Sequence, residues 1–292
     1  MTSDDVELAF DAKAELGEGP VWDPDAACLY FVDIERNRVH RFHSETHVSR
    51  TYDAGSMVSA VALAAAGDLV MAVRNGFARL DLDTGRVRMI AEVEADHPDR
   101  RMNDGKCDAA GRFWAGTMAL DHRRGAGALY RLDPGGRVHT MLRDVSISNG
   151  LDWTGDGRRM YYIDTPTKSI DVFDFDPASG AISNRRSLVR VPADYGSPDG
   201  MTLDADGGIW VAFWGGSAVR RYTPDGTLDR EIRVPVTHPT SCAFGGRDLR
   251  DLYITTAATA LGPEERARQQ HAGGVFRCRP GVQGRPANRF GG

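Results

Sequence analysis

One pattern recurs along the whole sequence: a polar residue, usually followed by glycine, then an apolar strand, a turn and a second apolar strand. The clearest copy is SNGLDWTGDGRRMYYIDT, residues 148–165, in which Asn149-Gly150 opens the first strand and Gly-Asp-Gly marks the turn. We call the residue at the position of Asn149 the head residue of its repeat. The six head residues are Glu18, Ser59, Asp104, Asn149, Asp199 and Thr240.

The spacing of the head residues predicts the fold. Successive head residues are 41, 45, 45, 50 and 41 positions apart, which is the length of a four-stranded β unit. Helical periodicity is almost absent, and the one candidate helix covers residues 262–270. We therefore predict an all-β protein, a single six-bladed β-propeller domain over residues 1–292 with four antiparallel strands per blade. A pair of β-sandwiches or a parallel β-helix would not have a repeat of about 40 to 50 residues.

The two ends of the chain are predicted to meet. The last repeat contains only three recognisable strands, and the N-terminal sequence VELAF, residues 6–10, is suited to supply its outer strand and close the ring. In a propeller the first strand of each blade lines the central channel. The strands that begin near residues 18, 59, 104, 149, 199 and 240 are therefore predicted to bring their head residues together at one mouth of that channel.

Four of the head residues are a carboxylate or an amide. Carboxylates that lie this close repel one another unless a cation is bound or some of them are protonated. Oxygen ligands favour one hard divalent cation, Ca²⁺, Mg²⁺, Mn²⁺ or Fe²⁺, with Zn²⁺ as a further candidate. A site with few protein ligands leaves positions for water and substrate, as catalytic sites do. The alternative is that these polar residues only bind neighbouring blades and channel water.

Several motifs resemble the senescence-marker-protein/gluconolactonase family, which includes regucalcin and bacterial sugar lactonases, and the resemblance covers nearly the whole chain. The motifs are LGEGPVWD at 16–23, RMNDGKCDAAGRFWAGTM at 101–118, SNGLDW at 148–153, PDGM at 198–201 and GGVFRCRPGVQGRPANRF at 273–290.

The resemblance implies one divalent metal ion on the propeller axis, and its ligands fall on Glu18, Asn149 and Asp199. It also implies substrate contacts from Arg101 and Asn103. A further contact falls on Asp121, in a loop whose sequence, ALDHRRGAG, departs from the family pattern. Asp104 is interpreted as a residue that supports its neighbours rather than as a metal ligand.

The resemblance also implies hydrolysis of aldonolactones, the cyclic esters of sugar acids. In such a site the metal polarises the lactone carbonyl, water attacks it, and Asp199 is the candidate general base. The expected substrate is a pentono- or hexonolactone, and the product is the open-chain aldonic acid. Two alternatives remain: a metal-dependent propeller that hydrolyses other esters or organophosphates, and a non-enzymatic calcium-binding propeller. Interaction propellers usually need no carboxylate cluster on the axis, which favours an enzyme.

Composition limits the other partners. The formal net charge of −5 provides no basic surface for nucleic acid or an anionic membrane, and no run of 18 apolar residues predicts a membrane span. The acidic N-terminus lacks the features of a signal peptide, and the four scattered cysteines are predicted to be reduced core residues of a cytoplasmic protein. No obligatory protein partner is indicated.

Two further features have structural interpretations. The spacing of His43 and His47 is assigned to a turn rather than to a metal site. Trp214 is assigned to blade packing, and the alternative is that it lines the channel mouth.

Overall fold

The computed structural model describes residues 3–292, which form 24 β-strands, two short 3₁₀-helices and one α-helix. Strand β1 (Ser3–Phe10) comes first in the chain but belongs to the last blade. Blade 1 contains β2 (Gly17–Asp23), β3 (Cys28–Asp33), β4 (Arg38–His43) and β5 (Ser49–Asp53). Blade 2 contains β6 (Val58–Leu63), β7 (Leu69–Val73), β8 (Gly76–Leu80) and β9 (Val87–Glu92).

The remaining blades follow the same order. Blade 3 contains β10 (Arg100–Cys107), β11 (Phe113–Ala119), β12 (Gly127–Leu132) and β13 (Val138–Val145). Blade 4 contains β14 (Ser148–Trp153), β15 (Arg159–Asp164), β16 (Ser169–Phe175) and β17 (Ile182–Arg190). Blade 5 contains β18 (Ser197–Leu203), β19 (Ile209–Trp214), β20 (Ala218–Tyr222) and β21 (Leu228–Arg233). Blade 6 contains β22 (Pro239–Gly245), β23 (Asp251–Thr256) and β24 (Val275–Arg279), and β1 completes it.

These blades form a closed ring. Each is a separate four-stranded antiparallel sheet, and the first strands β2, β6, β10, β14, β18 and β22 contact one another in that circular order. The predicted six-bladed β-propeller is therefore confirmed. An apolar layer fills each of the six spaces between neighbouring blades, so that burial between sheets stabilises the ring.

The predicted closure by the N-terminal segment is also confirmed. Strand β1 pairs with β24, with Leu8 opposite Phe276 and Phe10 opposite Val275. The Phe10 ring stacks on Phe42 of blade 1 at 5.0 Å between centroids. The N-terminal strand therefore covers the outer edge of blade 6 and also packs against the next blade, so it joins the two ends of the ring.

The C-terminal segment, residues 280–292, crosses the face of the propeller at which the first strands end. Gln283 accepts a backbone hydrogen bond from Ala205 of blade 5, and Phe290 donates one to Leu63 of blade 2. Asn288 Nδ2 donates to the carbonyl of Cys107 in blade 3 at 3.1 Å. The segment thus covers the rear end of the channel. A cavity of about 220 Å³ lies between it and the head residues.

The smaller predictions can be compared directly with the fold. The helix Pro263–Arg268 lies within the predicted range and exposes all its residues. All four cysteines are buried, and the described residues contain no disulfide. His43 Nδ1 accepts backbone hydrogen bonds from residues 45 and 46, as expected for a turn. Within residues 3–292 there is no helix long and apolar enough to cross a membrane.

Candidate functional site

Every first strand has a break in its pairing register at or beside its head residue. A β-bulge of this kind bends the strand and redirects the side chain at the break. The repeated break therefore gives the head residues a local geometry that differs from regular strand alternation. The register shifts lie between Glu18 and Val21, Val58 and Ala60, Met102 and Gly105, Ser148 and Leu151, Pro198 and Met201, and Pro239 and Ser241.

The glycine that follows a head residue has a packing role. A Cβ atom at Gly150 would lie 2.7 Å from the carbonyl oxygen of Asp199 on the next blade. A Cβ atom at Gly200 would likewise overlap the side chain of Ser241. Glycine at these positions therefore allows neighbouring first strands to approach one another closely around the axis. The asparagine-glycine pair that opens β14 is explained by this approach.

The four head residues with a carboxylate or an amide are all buried. Glu18, Asp104, Asn149 and Asp199 are each less than one-tenth exposed. Burial raises the pKa of the Glu18 carboxyl well above its usual range, and the carboxylates of Asp199 and Asp104 add to this effect. Burial and the Asp104 carboxylate raise the pKa of Asp199 well above its usual range, which the Asn149 amide partly offsets. The Asp199 and Asp104 carboxylates therefore favour the protonated form of Glu18, and the Asp104 carboxylate favours that of Asp199.

Asp104 differs from the other two carboxylates. Burial raises its pKa to about 6, while the nearby Lys106 ammonium opposes this shift. Lys106 Nζ donates to Asp152 Oδ2 at 3.0 Å and to the carbonyl of Met201 at 2.7 Å, so it spans blades 3, 4 and 5 behind the head residues. The described residues contain no group of three Asp, Glu, His or Cys side chains placed to hold one metal ion. A cation held here by Glu18 and Asp199 would therefore need a ligand of another type, and the amide oxygen of Asn149 is a candidate.

Asn149 has a geometry suited to that role. Its Nδ2 donates to Thr165 Oγ1 at 2.9 Å, and Thr165 Oγ1 donates to the carbonyl of Pro198 at 2.9 Å. These bonds fix the orientation of the side-chain amide, whose only acceptor is Oδ1. Asn149 Oδ1 is buried and accepts no hydrogen bond. An orphaned amide oxygen beside two buried carboxylates, Glu18 and Asp199, is a donor set that fits a hard divalent cation.

Arg101 and Asn103 lie on the same strand as Asp104. Arg101 is buried, and its Nη1 donates to Asn103 Oδ1 at 2.6 Å and to the carbonyl of Met102 at 2.9 Å. Its Nε and Nη2 donate to no group among residues 3–292. Burial lowers the pKa of Arg101 to about 10, and the carboxylates of Glu18 and Asp199 oppose this shift. A charged guanidinium with unused donors therefore lies within electrostatic range of the head residues.

Asp121 is placed differently. It lies in the exposed loop after β11, and both its carboxylate oxygens accept hydrogen bonds from Arg123 Nη1 at 3.0 Å. Arg123 also pairs with Asp99. The structure thus does not bring Asp121 into the buried group, and a contact of Asp121 with a substrate would require this ion pair to open.

Two supporting contacts were not anticipated from the sequence. Thr165, which orients Asn149, begins a 3₁₀-helix after the second strand of its blade. Lys106, which opposes the shift at Asp104, is one of only three lysines in the chain. That rarity was the one signal available for Lys106. For Thr165, the signal was its position at the strand end that returns to the mouth beside Asn149.

The fold and the site together define a class: six-bladed β-propellers with a buried, oxygen-rich site on the axis beside an arginine. Residues 16–258 match the family model described as the SMP-30/Gluconolactonase/LRE-like region. The chain belongs to this family.

Individual relatives agree with this assignment. The chain is 41% identical over 273 residues to the Bacillus subtilis protein named "Putative sugar lactone lactonase YvrE", with 93% of this chain and 94% of the relative covered. It is 38% identical to regucalcin of Oryctolagus cuniculus over 299 residues, which cover 100% of both chains. Among solved structures, a calcium-binding protein, regucalcin, from Agrobacterium tumefaciens superposes with a TM-score of 0.94 at 29% identity, covering 97% of this chain and 96% of that one.

Proposed function

We propose that the protein hydrolyses a sugar lactone, a pentono- or hexonolactone, to the open-chain aldonic acid. We also propose that it uses one divalent cation held by Glu18, Asn149 and Asp199. The observation that carries this proposal is the buried Asn149 Oδ1 without a hydrogen-bond donor, adjacent to two carboxylates whose pKa values are raised. The name of the Bacillus subtilis relative supports a lactone as substrate, and the name of the Agrobacterium structure supports a divalent cation.

When bound, a divalent cation would supply a Lewis acid for the lactone carbonyl and positive charge that keeps Glu18 and Asp199 ionised. The remaining roles belong to the chain. A carboxylate oxygen of Asp199 accepts the proton of the water that attacks the lactone carbonyl. Attack forms a new C–O bond and a tetrahedral intermediate, and its collapse breaks the ring ester bond. The ring oxygen leaves as a hydroxyl after it takes the proton held by Asp199, and the new carboxyl group releases its own proton to solvent to give the carboxylate of the aldonic acid.

Arg101 would orient the sugar. Its Nε and Nη2 are the donors left after Nη1 has bonded to Met102 and Asn103, and they suit hydroxyl or carbonyl oxygens of the lactone. Orientation by a buried guanidinium contributes to rate because the ester is held near its attacking water. Asn103, whose two polar groups are engaged within the protein, would act by holding Arg101 in place.

The test is a pH-drop assay with a panel of pentono- and hexonolactones and simple esters, before and after chelation and metal return, with metal analysis of the same samples. Lactone hydrolysis that disappears on chelation and returns with one equivalent of a divalent cation is expected. Preference for simple esters would instead favour an esterase. Unchanged activity after complete removal of metal would contradict the role of the cation.

A second candidate is a calcium-binding protein without hydrolytic activity. The relatives named regucalcin, and the structural neighbour titled a calcium-binding protein, favour it. The same axial residues would bind calcium in this case. Calcium binding that Asp199→Asn weakens, without turnover of any lactone in the panel, would identify this function.

A further inference from the structure

We propose that Trp214 and His238 form a second wall of the sugar-binding site, in which His238 Nε2 hydrogen-bonds to a substrate hydroxyl and Trp214 holds the imidazole in place. The inference rests on the proposed function because it assigns part of the same substrate's recognition. Neither residue was among the residues that the family resemblance implied.

The two residues belong to neighbouring blades and lie at the end of these blades that carries the head residues. Trp214 ends β19 and pairs with Ser197, two positions before Asp199. His238 immediately precedes β22, two positions before Thr240, whose hydroxyl donates to the carbonyl of Gly17 beside Glu18. The backbone thus connects each residue to the surroundings of a proposed metal ligand.

The two rings stack closely. Their centroids are 4.1 Å apart, and their planes meet at 18°. The His238 carbonyl accepts a hydrogen bond from the Ala257 amide, and the neighbouring Thr237 is hydrogen-bonded to the side chain of Gln269. The imidazole therefore stacks on an indole and extends from an anchored backbone, so its orientation is set before any ligand arrives.

Neither ring nitrogen of His238 hydrogen-bonds to a residue within the described range 3–292. Nδ1 is fully buried, whereas Nε2 keeps contact with solvent. A buried polar group without a partner is uncommon and calls for an explanation. Burial lowers the pKa of His238, so the ring is neutral near pH 7. A neutral imidazole offers one donor and one acceptor, which suits a hydroxyl group because it can take either role.

A polyhydroxylated ligand matches this arrangement. Small-molecule binding sites combine apolar and aromatic side chains with a few precisely placed polar groups. Here Arg101 supplies charged donors on blade 3, and the Trp214–His238 pair supplies a neutral donor and acceptor across the mouth, between blades 5 and 6. The pair would therefore contact a hydroxyl far from the reacting ester and contribute to binding rather than to the chemical step.

The test compares His238→Phe, which keeps the stacked ring but removes both nitrogens, with His238→Gln, which keeps a donor and an acceptor. With glucono-1,5-lactone, His238→Phe is expected to raise KM about tenfold, the effect of one lost hydrogen bond, with kcat within twofold. His238→Gln is expected to stay within threefold of wild type. Equal losses in the two variants, a fall in kcat alone or no effect would overturn the inference.

Binding of sodium gluconate, measured by calorimetry, tests the wall without turnover. Wild type is expected to bind gluconate about tenfold more tightly than His238→Phe, and Trp214→Phe is expected to remove the gluconate-dependent change in tryptophan fluorescence. If wild type hydrolyses no lactone but shows this binding difference, the proposed function fails and the wall stands. If gluconate does not bind, or binds wild type and His238→Phe equally, the wall is overturned.

Discussion

The side chain of Asn103 joins Arg101 to the neighbouring blade: its Oδ1 accepts from Arg101 Nη1 at 2.6 Å, and its Nδ2 donates to the carbonyl of Ser148 at 2.7 Å. Ser148 directly precedes Asn149 in the sequence. Asn103 therefore fixes the position of the guanidinium relative to the strand that carries a proposed metal ligand. We therefore expect Asn103 to act as a positioning residue and Arg101 to make the direct sugar contact in the proposed function.

A double-mutant cycle tests this division of roles. We expect Arg101→Ala and Asn103→Ala each to lower kcat/KM for the lactone while metal content stays near that of wild type. If Asn103 acts through Arg101, the double variant should lose little more than Arg101→Ala alone. Steady-state kinetics and metal analysis on the same preparations provide the measurement. Fully additive losses would instead indicate that Asn103 contacts the substrate independently.

Thr165 offers a test of how Asn149 is oriented. Thr165→Val keeps the shape of the side chain but removes the acceptor of Asn149 Nδ2, so the amide is free to rotate and Oδ1 loses its fixed direction. Loss of a partner that orients a ligand commonly lowers metal affinity by a factor of about 10 to 100. We expect a decrease of this size in a calorimetric titration with Ca²⁺ or Mn²⁺. Thr165→Ser, which retains the hydroxyl, is the matched control and should bind like wild type.

The raised pKa of Asp104 predicts a pH dependence of the chelated protein. Its folded pKa of about 6 exceeds the value near 3.9 of an unfolded aspartate, so the folded state binds more protons between these values. The contribution to stability is therefore full below about pH 4 and is lost as pH rises to about 6, a difference of roughly 2 to 3 kcal/mol. In denaturant unfolding, the difference in the free energy of unfolding between wild type and Asp104→Asn should change with pH in this direction. A difference that stays constant with pH would mean that Asp104 titrates normally.

Ring closure by β1 predicts a cost for truncation. Deletion of residues 1–12 removes the pairing of Leu8 and Phe10 with β24 and the stack of Phe10 on Phe42. The lost apolar burial amounts to roughly 2 to 4 kcal/mol, so the melting temperature should fall by roughly 3 to 7 °C. Deletion of residues 1–4 alone keeps these contacts and should have a much smaller effect. A 1–12 deletion that melts within a degree or two of the full-length protein would contradict this account of closure.

The sequence predicted the architecture because the repeat directly records the blade. Head residues, turns and apolar strands recur at a nearly constant spacing, so the blade number and the inner strand of each blade could be read together. The acidic and amide head residues also predicted a group of neighbouring polar side chains, and the structure brings Glu18, Asp104 and Asp199 within electrostatic range of one another. The supporting contacts were not readable: Thr165 reaches Asn149, and His238 reaches Trp214, through side chains that meet only after neighbouring strands or blades have packed. No periodic signal in a single strand records such contacts.

The final prediction separates the three proposed metal ligands. Glu18→Gln, Asn149→Ala and Asp199→Asn should each weaken metal binding and strongly reduce lactonase activity, because each removes a ligand oxygen or its charge. The chelated wild type should stay folded, since the apolar layers between blades do not involve the ion. Metal at 100 times its Kd should then stabilise it by about 2.7 kcal/mol.

The response to excess metal distinguishes the residues. Saturating metal should partly restore Glu18→Gln and Asn149→Ala, because both retain the proposed base. It should restore Asp199→Asn least, because an amide cannot accept the proton of the attacking water at the pH of the assay. Metal stoichiometry and lactone kinetics, measured on the same preparations with and without added cation, distinguish loss of the metal from loss of the proposed base. Full metal content together with near-wild-type turnover in Asp199→Asn would show that the axial residues are not the active site, and the proposed mechanism would have to be abandoned.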